Sequence, residues 1–330
     1  MTPVARWHRF ARANGWRRIL AMRCYLPTAV ALVMLGAGGW SVAAQAPDSE
    51  SLVKQGRTLM TQGKYDEAER LYRQALQLNA RSFEAASALG ILLNLKGQYP
   101  EARNHLQRAI SSAPTSTVRN QATGALALSY VFEGKPAEAQ RHYETVRRQQ
   151  QVDGDTAGAG ASARSIGRVY LEAGDVANGR KWYELGYREW RPLPSQPEAE
   201  QMLWELRWRH SQARIAAREG KIDEARRLVT EFESIMQKRG KASDDNELYR
   251  WVAGYVAFYA KDYERAIAQL TQGNLADPFI LNMIGMAYEA KGDIANARQY
   301  YRRTLESNVH NLQAAIARPL ARQRLAGVGQ

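Results

Sequence analysis

A small residue, a turn residue seven positions on and a second small residue five further recur seven times along this chain. The triples are Gly56/Gly63/Ala68, Gly90/Gly97/Ala102, Ala127/Gly134/Ala139, Gly167/Gly174/Gly179, Ala213/Gly220/Ala225, Gly254/Lys261/Ala266 and Gly285/Gly292/Ala297. Self-similarity at this period marks a stacked array, because one such unit cannot bury its apolar face alone. Each member has a physical role. Two small residues let a pair of helices approach closely where they cross. A glycine between them suits the left-handed turn that ends the first helix. Large residues then fill the space around the crossing: Tyr65, Tyr99 and Tyr263 two after the turn, and Tyr72, Tyr143, Tyr183 and Tyr301 four after the second small residue. Pro114 and Pro278 fall where helix pairs close. Strand-type alternation is absent.

With these residues the chain resembles the tetratricopeptide repeat family, whose unit carries glycine and tyrosine on its first helix and alanine, aromatic and proline on its second. The resemblance covers residues 49–309 and is strongest at 49–82, 83–116 and 278–309. It implies an all-α, right-handed superhelical solenoid of about seven antiparallel helix pairs. There are departures. The steps between second small residues run 34, 37, 40, 46, 41 and 31, Arg209 stands where the family often places tryptophan, and Val229 where it places an aromatic.

Residues 1–44 do not share this pattern. They hold Arg6, Arg9, Arg12, Arg17, Arg18 and Arg23 with no acidic residue, then an apolar run from Tyr25 to Val42 and a small-residue exit. Those are the parts of a secretory signal peptide. Cleavage after Val42-Ala43-Ala44 is expected, because Pro47 obstructs the site after Ala46. Met22 competes with Met1 as the start. An uncleaved anchor is the competing reading, but the run is short for a span and holds Pro27, Gly36, Gly38 and Gly39. Membrane contact would then come only through that uncleaved segment. Removal of six arginines takes the net charge from +13 to +7. An exported chain meets little nucleic acid, so its basicity does not point there. The sole cysteine, Cys24, leaves with the segment.

The remaining chain divides into units 1–3 over 45–153, a Gly/Ala linker or hinge at 154–162, units 4–7 over 163–309, and a capping helix and tail at 310–330. The linker expectation rests on Gly154-Asp-Thr-Ala-Gly-Ala-Gly-Ala-Ser162. A proline stretch, 191–197, precedes a long helix from about Glu198 to Glu219. The final helix should cover the last repeat, bent or shortened by Pro319.

No catalytic constellation appears. His105, His142, His210 and His310 have no second histidine or cysteine at ligand spacing, and no metal, cofactor or nucleophile motif is present. The resemblance implies a concave groove lined by the first helix of each pair. Counting its inward positions places Arg164, Arg168, Arg207, His210, Arg214 and Arg218 there, beside the stripe Trp251, Tyr255, Phe258 and Tyr259. The arginines at 164, 168, 214 and 218 are expected to be unburied. Val53 and Arg57 replace the lysine and asparagine of chaperone-binding members, so intracellular chaperone tails are not expected. The expected role is a non-catalytic interaction scaffold of a bacterial periplasm or envelope, holding a protein or peptide partner with acidic groups. The alternative is a module accessory to envelope glycan or polysaccharide export, its aromatic stripe stacking on sugars.

Overall fold

Seven helix pairs follow one another, each closed by a short turn. The computed structural model describes residues 48–192, 195–240 and 243–327, with side chains from 246 onward in the last stretch. The export-type segment at 1–44, residues 193 and 194 of the proline stretch, and the tail after 327 lie outside the described residues. The pairs are α1 Ser49–Thr61 with α2 Tyr65–Leu78, α3 Phe83–Lys96 with α4 Tyr99–Ser112, and α5 Ser116–Phe132 with α6 Pro136–Val152. They continue as α7 Thr156–Ala173 with α8 Val176–Glu189, α9 Glu198–Arg218 with α10 Ile222–Lys238, and α11 Ser243–Tyr259 with α12 Tyr263–Leu270. The array ends with α13 Pro278–Ala290, α14 Ile294–Glu306 and a single helix, α15 Leu312–Gly327. No strand occurs among the described residues.

The small–turn–small triples explain the pairing. All seven turn residues have positive φ, from +62° at Lys261 to +96° at Gly174. In each turn the next N–H reaches back to a carbonyl five residues earlier, as Gln98 does to Leu93 at 2.9 Å and Asp262 to Ala257 at 3.0 Å. This satisfies a carbonyl that the helix end would leave open and reverses the chain. Lys261 holds the same left-handed geometry despite its side chain. The six alanines of the second helices, Ala68, Ala102, Ala139, Ala225, Ala266 and Ala297, are fully buried. Opposite them, a Cβ added at Gly56 or Gly285 would run into the ring of Tyr72 or Tyr301, and one at Gly90 or Gly254 into Leu106 or Leu270. Pro114 follows α4, whereas Pro278 opens α13, where its missing N–H costs nothing.

The fourth pair corrects the linker expectation at 154–162. Only Asp153–Asp155 forms a turn, and α7 begins at Thr156 with Asp155 accepting from the Gly158 N–H at 2.8 Å. The glycines serve close packing instead. A Cβ on Gly160 would sit 2.6 Å from the Gly186 carbonyl oxygen, and one on Gly186 would sit 2.6 Å from the Gly160 oxygen. Farther along the same crossing, Gly167 lies against the Tyr183 backbone and Gly179 against Leu171. Helices α7 and α8 thus touch backbone to backbone along most of their length, which no residue with a side chain would permit.

The last helix does more than cover the final repeat. It packs on α13 and α14, as a cap would, but also on α5 and α7. Buried Arg318 donates through Nη1 to the Leu305 and Ser307 carbonyls, both at 2.6 Å, and through Nη2 to Leu95 at 3.1 Å. Arg322 donates to the same Leu95 carbonyl at 2.9 Å and to the Tyr99 hydroxyl at 3.2 Å. Leu95 lies in the last turn of α3, where cations complement the helix dipole and open carbonyls. The segment before α15 also reaches back: Tyr65 donates to Asn308 Oδ1 at 2.5 Å, and Asn308 Nδ2 donates to the Thr61 carbonyl at 3.2 Å. The two ends of the array therefore meet. Pro319 neither shortens nor interrupts α15, which runs on to Gly327.

Packing at the fourth pair gives a direct test. Gly186→Ala should cost roughly 1–3 kcal/mol by forcing α7 and α8 apart, read from urea unfolding. A loss no larger than that of an exposed alanine substitution would place the crossing elsewhere.

The closure is sensitive to acid. Asn94 Nδ2 donates to His310 Nε2 at 3.0 Å, which requires that nitrogen to be unprotonated, and the ring packs 5.6 Å from Phe132. Burial pushes the His310 imidazole down to about 4. The unfolded chain, with an ordinary histidine, binds the proton first. The stabilisation is complete above pH 6.5 and is lost as pH falls toward 4. Between pH 7 and 5 this amounts to about 2 kcal/mol. His105, His142 and His210 are also depressed by burial and act in the same direction. In urea titrations at the two pH values, His310→Gln should lose less stability on acidification than the native chain. An equal loss would remove His310 as a contributor.

Candidate functional site

Between α7, α9, α11 and the start of α15 lies a cavity of about 400 Å³, bounded also by Tyr183 and Tyr187 of α8. Its wall contains six of the ten groove residues expected from the sequence: Arg164, Arg168, Arg207, His210, Arg214 and Trp251. The helical period brings them together. Arg164 and Arg168 are one turn apart on α7, and Arg207, His210 and Arg214 lie along one face of α9. Leu312 and Gln313 of α15 close one side. Neither could be assigned to the site from sequence, because they arrive through the closure of the array.

The arginines do not behave alike, and the expectation that those at 164, 168, 214 and 218 are unburied fails for two. Arg214 is 2% exposed and Arg168 is 8% exposed. Arg214 belongs to a buried network. Its Nη1 donates to Glu172 Oε1 at 3.3 Å and its Nη2 to the Tyr183 hydroxyl, while Tyr255 donates to Glu172 Oε2 at 3.2 Å. Burial alone would depress the Arg214 guanidinium, but Tyr183, Glu172 and Tyr255 outweigh that and hold it above its ordinary range. Arg218 turns away from the cavity to the Tyr259 hydroxyl.

Among the described residues, Arg168 has no carboxylate in salt-bridge contact. Its guanidinium lies 4.6 Å from the Trp251 ring centre and 4.8 Å from that of Phe279, and its Nε and Nη2 have no hydrogen-bond acceptor in the protein. Burial and the neighbouring Arg214 charge lower its affinity for the proton, with Asp277 opposing. Asp277 itself is committed to capping α13, accepting from the Phe279 N–H at 2.8 Å. Arg164 lies 4.4 Å from the Trp190 ring centre, and its Nη1 also lacks an acceptor. His210 is buried with its ring 4.5 Å from Trp251, and His210 Nε2 and Trp251 Nε1 are likewise without partners. Burial, followed by the Arg214, Arg168 and Arg207 charges, keeps His210 well below the usual histidine range, so it is neutral. Arg207 is exposed at the rim.

The aromatic stripe is corrected in the same way. Tyr255 is fully buried, and the Tyr259 ring lies tilted 4.8 Å from it and edge-on 5.3 Å from Phe258. These three form packing between repeats. Of the stripe, Trp251 alone lines the cavity, with the Arg168 guanidinium 4.6 Å and that of Arg214 5.0 Å from its ring centre. Trp204 and Trp208, one turn apart on α9, pack on Tyr187.

Two models, each described as a tetratricopeptide repeat, match the sequence, one at residues 53–117, 125–194 and 252–311 and the other at 207–229. Proteins of this repeat serve in protein–protein interaction. No curated protein matches the chain. Among solved structures, a tetratricopeptide repeat protein from Parabacteroides merdae aligns at TM-score 0.50 and 14% identity, covering 86% of this chain and 99% of its own. The apo form of RapI aligns at TM-score 0.54 and 12% identity, covering 84% and 99%. At these identities the likeness shows the fold alone.

The contrast between the two buried arginines is measurable. Arg214→Met strands the Glu172 carboxylate and should cost about 3–5 kcal/mol, whereas Arg168→Met removes a buried charge that forms no salt bridge among the described residues and should cost far less. Chemical denaturation of the two variants checks this. Equal losses would make Arg168 a structural residue.

Proposed function

Since the chain belongs to the tetratricopeptide repeat family, we propose that it is a non-catalytic scaffold that holds a protein or peptide partner on the face formed by α7, α9 and α11. The observation that carries this reading is the cavity, whose buried donors are not consumed by the fold. Evolution of a packed interior leaves few such groups unpaired. Their collection on one inner wall supports a surface completed by another molecule. The non-catalytic reading draws on the same wall. Its charged groups are arginines, and Glu172, which pairs with Arg214 behind that wall, is buried. No group of histidine, cysteine and carboxylate suited to a metal occurs among the described residues.

The site of action we propose is the bacterial periplasm or envelope, or outside the cell. The support is the arginine-rich start, apolar run and small-residue exit of residues 1–44. No helix among the described residues is long and apolar enough to cross a membrane. The glycan-export alternative has less support, because Tyr255 is enclosed and Trp251 is itself largely buried against the Arg168 and Arg214 guanidinium groups. Little ring surface remains for a sugar.

Photo-crosslinkers placed at Ala161, Ser165 and Leu248, then mixed with envelope extract, should capture a polypeptide. Probes on outer helices α8 and α10 should capture none. Capture only from the outer helices would move the interface to the other face and overturn the proposal.

A further inference from the structure

We propose that the cavity between α7, α9, α11 and α15 is a binding site for a ligand that carries one oxyanion, carboxylate or phosphate, on an otherwise neutral or apolar body. This rests on reading that wall as a binding face, but it adds a ligand chemistry and can be tested without any partner.

The first argument is the convergence of donors. Among the described residues, Arg168 Nε and Nη2, Arg164 Nη1 and Trp251 Nε1 find no acceptor and His210 Nε2 no partner, and all four residues line the same cavity. Arg168 is more than nine-tenths buried. A guanidinium cannot shed its proton in a protein, so it keeps both its charge and its donors. Aromatic faces at Trp251 and Phe279 offset part of the desolvation but accept no hydrogen bond in the guanidinium plane. The natural acceptor for two in-plane donors is a planar or tetrahedral oxyanion, bound bidentately.

The second argument is the balance of charge around that point. Arg214 is matched by Glu172, and Arg218 is directed to Tyr259. Arg164, Arg168 and Arg207 remain, opposed at the α13 end by Asp277. One excess region of positive potential is left, centred on α7 rather than spread over the face.

The third argument limits the rest of the ligand. An adjoining cavity of about 250 Å³ shares Arg207, Leu248, Trp251 and Gln313 with the first, and its far wall holds Glu247 and Asp277 beside Ile280. A polyanion would meet those carboxylates, so extended nucleic acid or polyphosphate is disfavoured. A single anionic head at α7 with its body over Leu248, Trp251 and Ile280 meets no like charge. Cavities of this combined size take a small molecule or the end of a peptide.

Hexanoate, hexyl phosphate and hexanol share one apolar body and separate the head groups. Calorimetric titration of the full chain should show one acid binding at least about ten-fold more tightly than hexanol. Which acid wins distinguishes a carboxylate from a phosphate source. Arg168→Met should abolish that preference, Arg168→Lys should restore only part of it, and Arg218→Met should leave it unchanged. Circular dichroism verifies folding, and Arg164→Met supplies an independent variant should Arg168→Met not fold. Hexanol binding as tightly as both acids would overturn the proposal, as would an acid preference untouched by both arginine-to-methionine variants. Acid binding without inner-face crosslinks would leave this site standing and remove the scaffold reading. Inner-face crosslinks without acid binding would do the reverse.

Discussion

Everything in this molecule depends on how closely two helices can cross. At each pair a glycine or alanine on the first helix meets a small residue and a covering side chain on the second, and the six second-helix alanines have no exposed surface. Close crossing sets the tilt of each pair, and the tilt repeated seven times sets the curvature of the array. That curvature brings α15 back onto α5 and α7 and makes Leu95 available to Arg318. It also decides which helix faces look inward. The arginine cavity is thus a consequence of methyl groups and missing methyl groups some distance from it.

The most tightly crossed pair is the one that supplies the buried cation. Gly160 and Gly186 place α7 against α8 at backbone distance, and Arg164 and Arg168 follow on the next turns of α7. Backbone contact of this kind leaves α7 little room to shift, so Arg168 is held where its charge is expensive. A flexible surface arginine would swing into water and lose its directional value. Here the guanidinium lies against the rings of Trp251 and Phe279, which hold it in the wall of the cavity. Neighbouring Arg214 shows the usual solution, with Glu172 and Tyr183 as partners.

Much of the architecture was legible in the residues. The seven triples located the turn inside each pair, including the one at Lys261, where lysine adopts the glycine conformation. Helical periodicity also carries enough local information to group Arg164, Arg168, Arg207, His210, Arg214 and Trp251, which line one cavity. Three things were not legible. Glycines at 158 and 160 look the same in a flexible tether and in a tight crossing, and only Gly186 on the partner helix tells them apart. An arginine's position on a helix does not say whether a carboxylate from elsewhere will neutralise it, as Glu172 does for Arg214. The contact of α15 with α3 joins residues 223 positions apart, beyond the reach of any local pattern.

Repeat arrays ordinarily gain their structure unit by unit, each stabilised by its neighbours, with little penalty for sequence distance. The hydrogen bonds of Arg318 and Arg322 to Leu95 change that accounting, since they link the third helix to the last. During synthesis the early units emerge with the Leu95 carbonyl and the α5 surface uncovered, and no later repeat can cover them until α15 has been made. The chain therefore acquires its final cooperativity in a single late step. Loop closure over most of its length precedes the reward, which slows that step relative to the local folding of each pair.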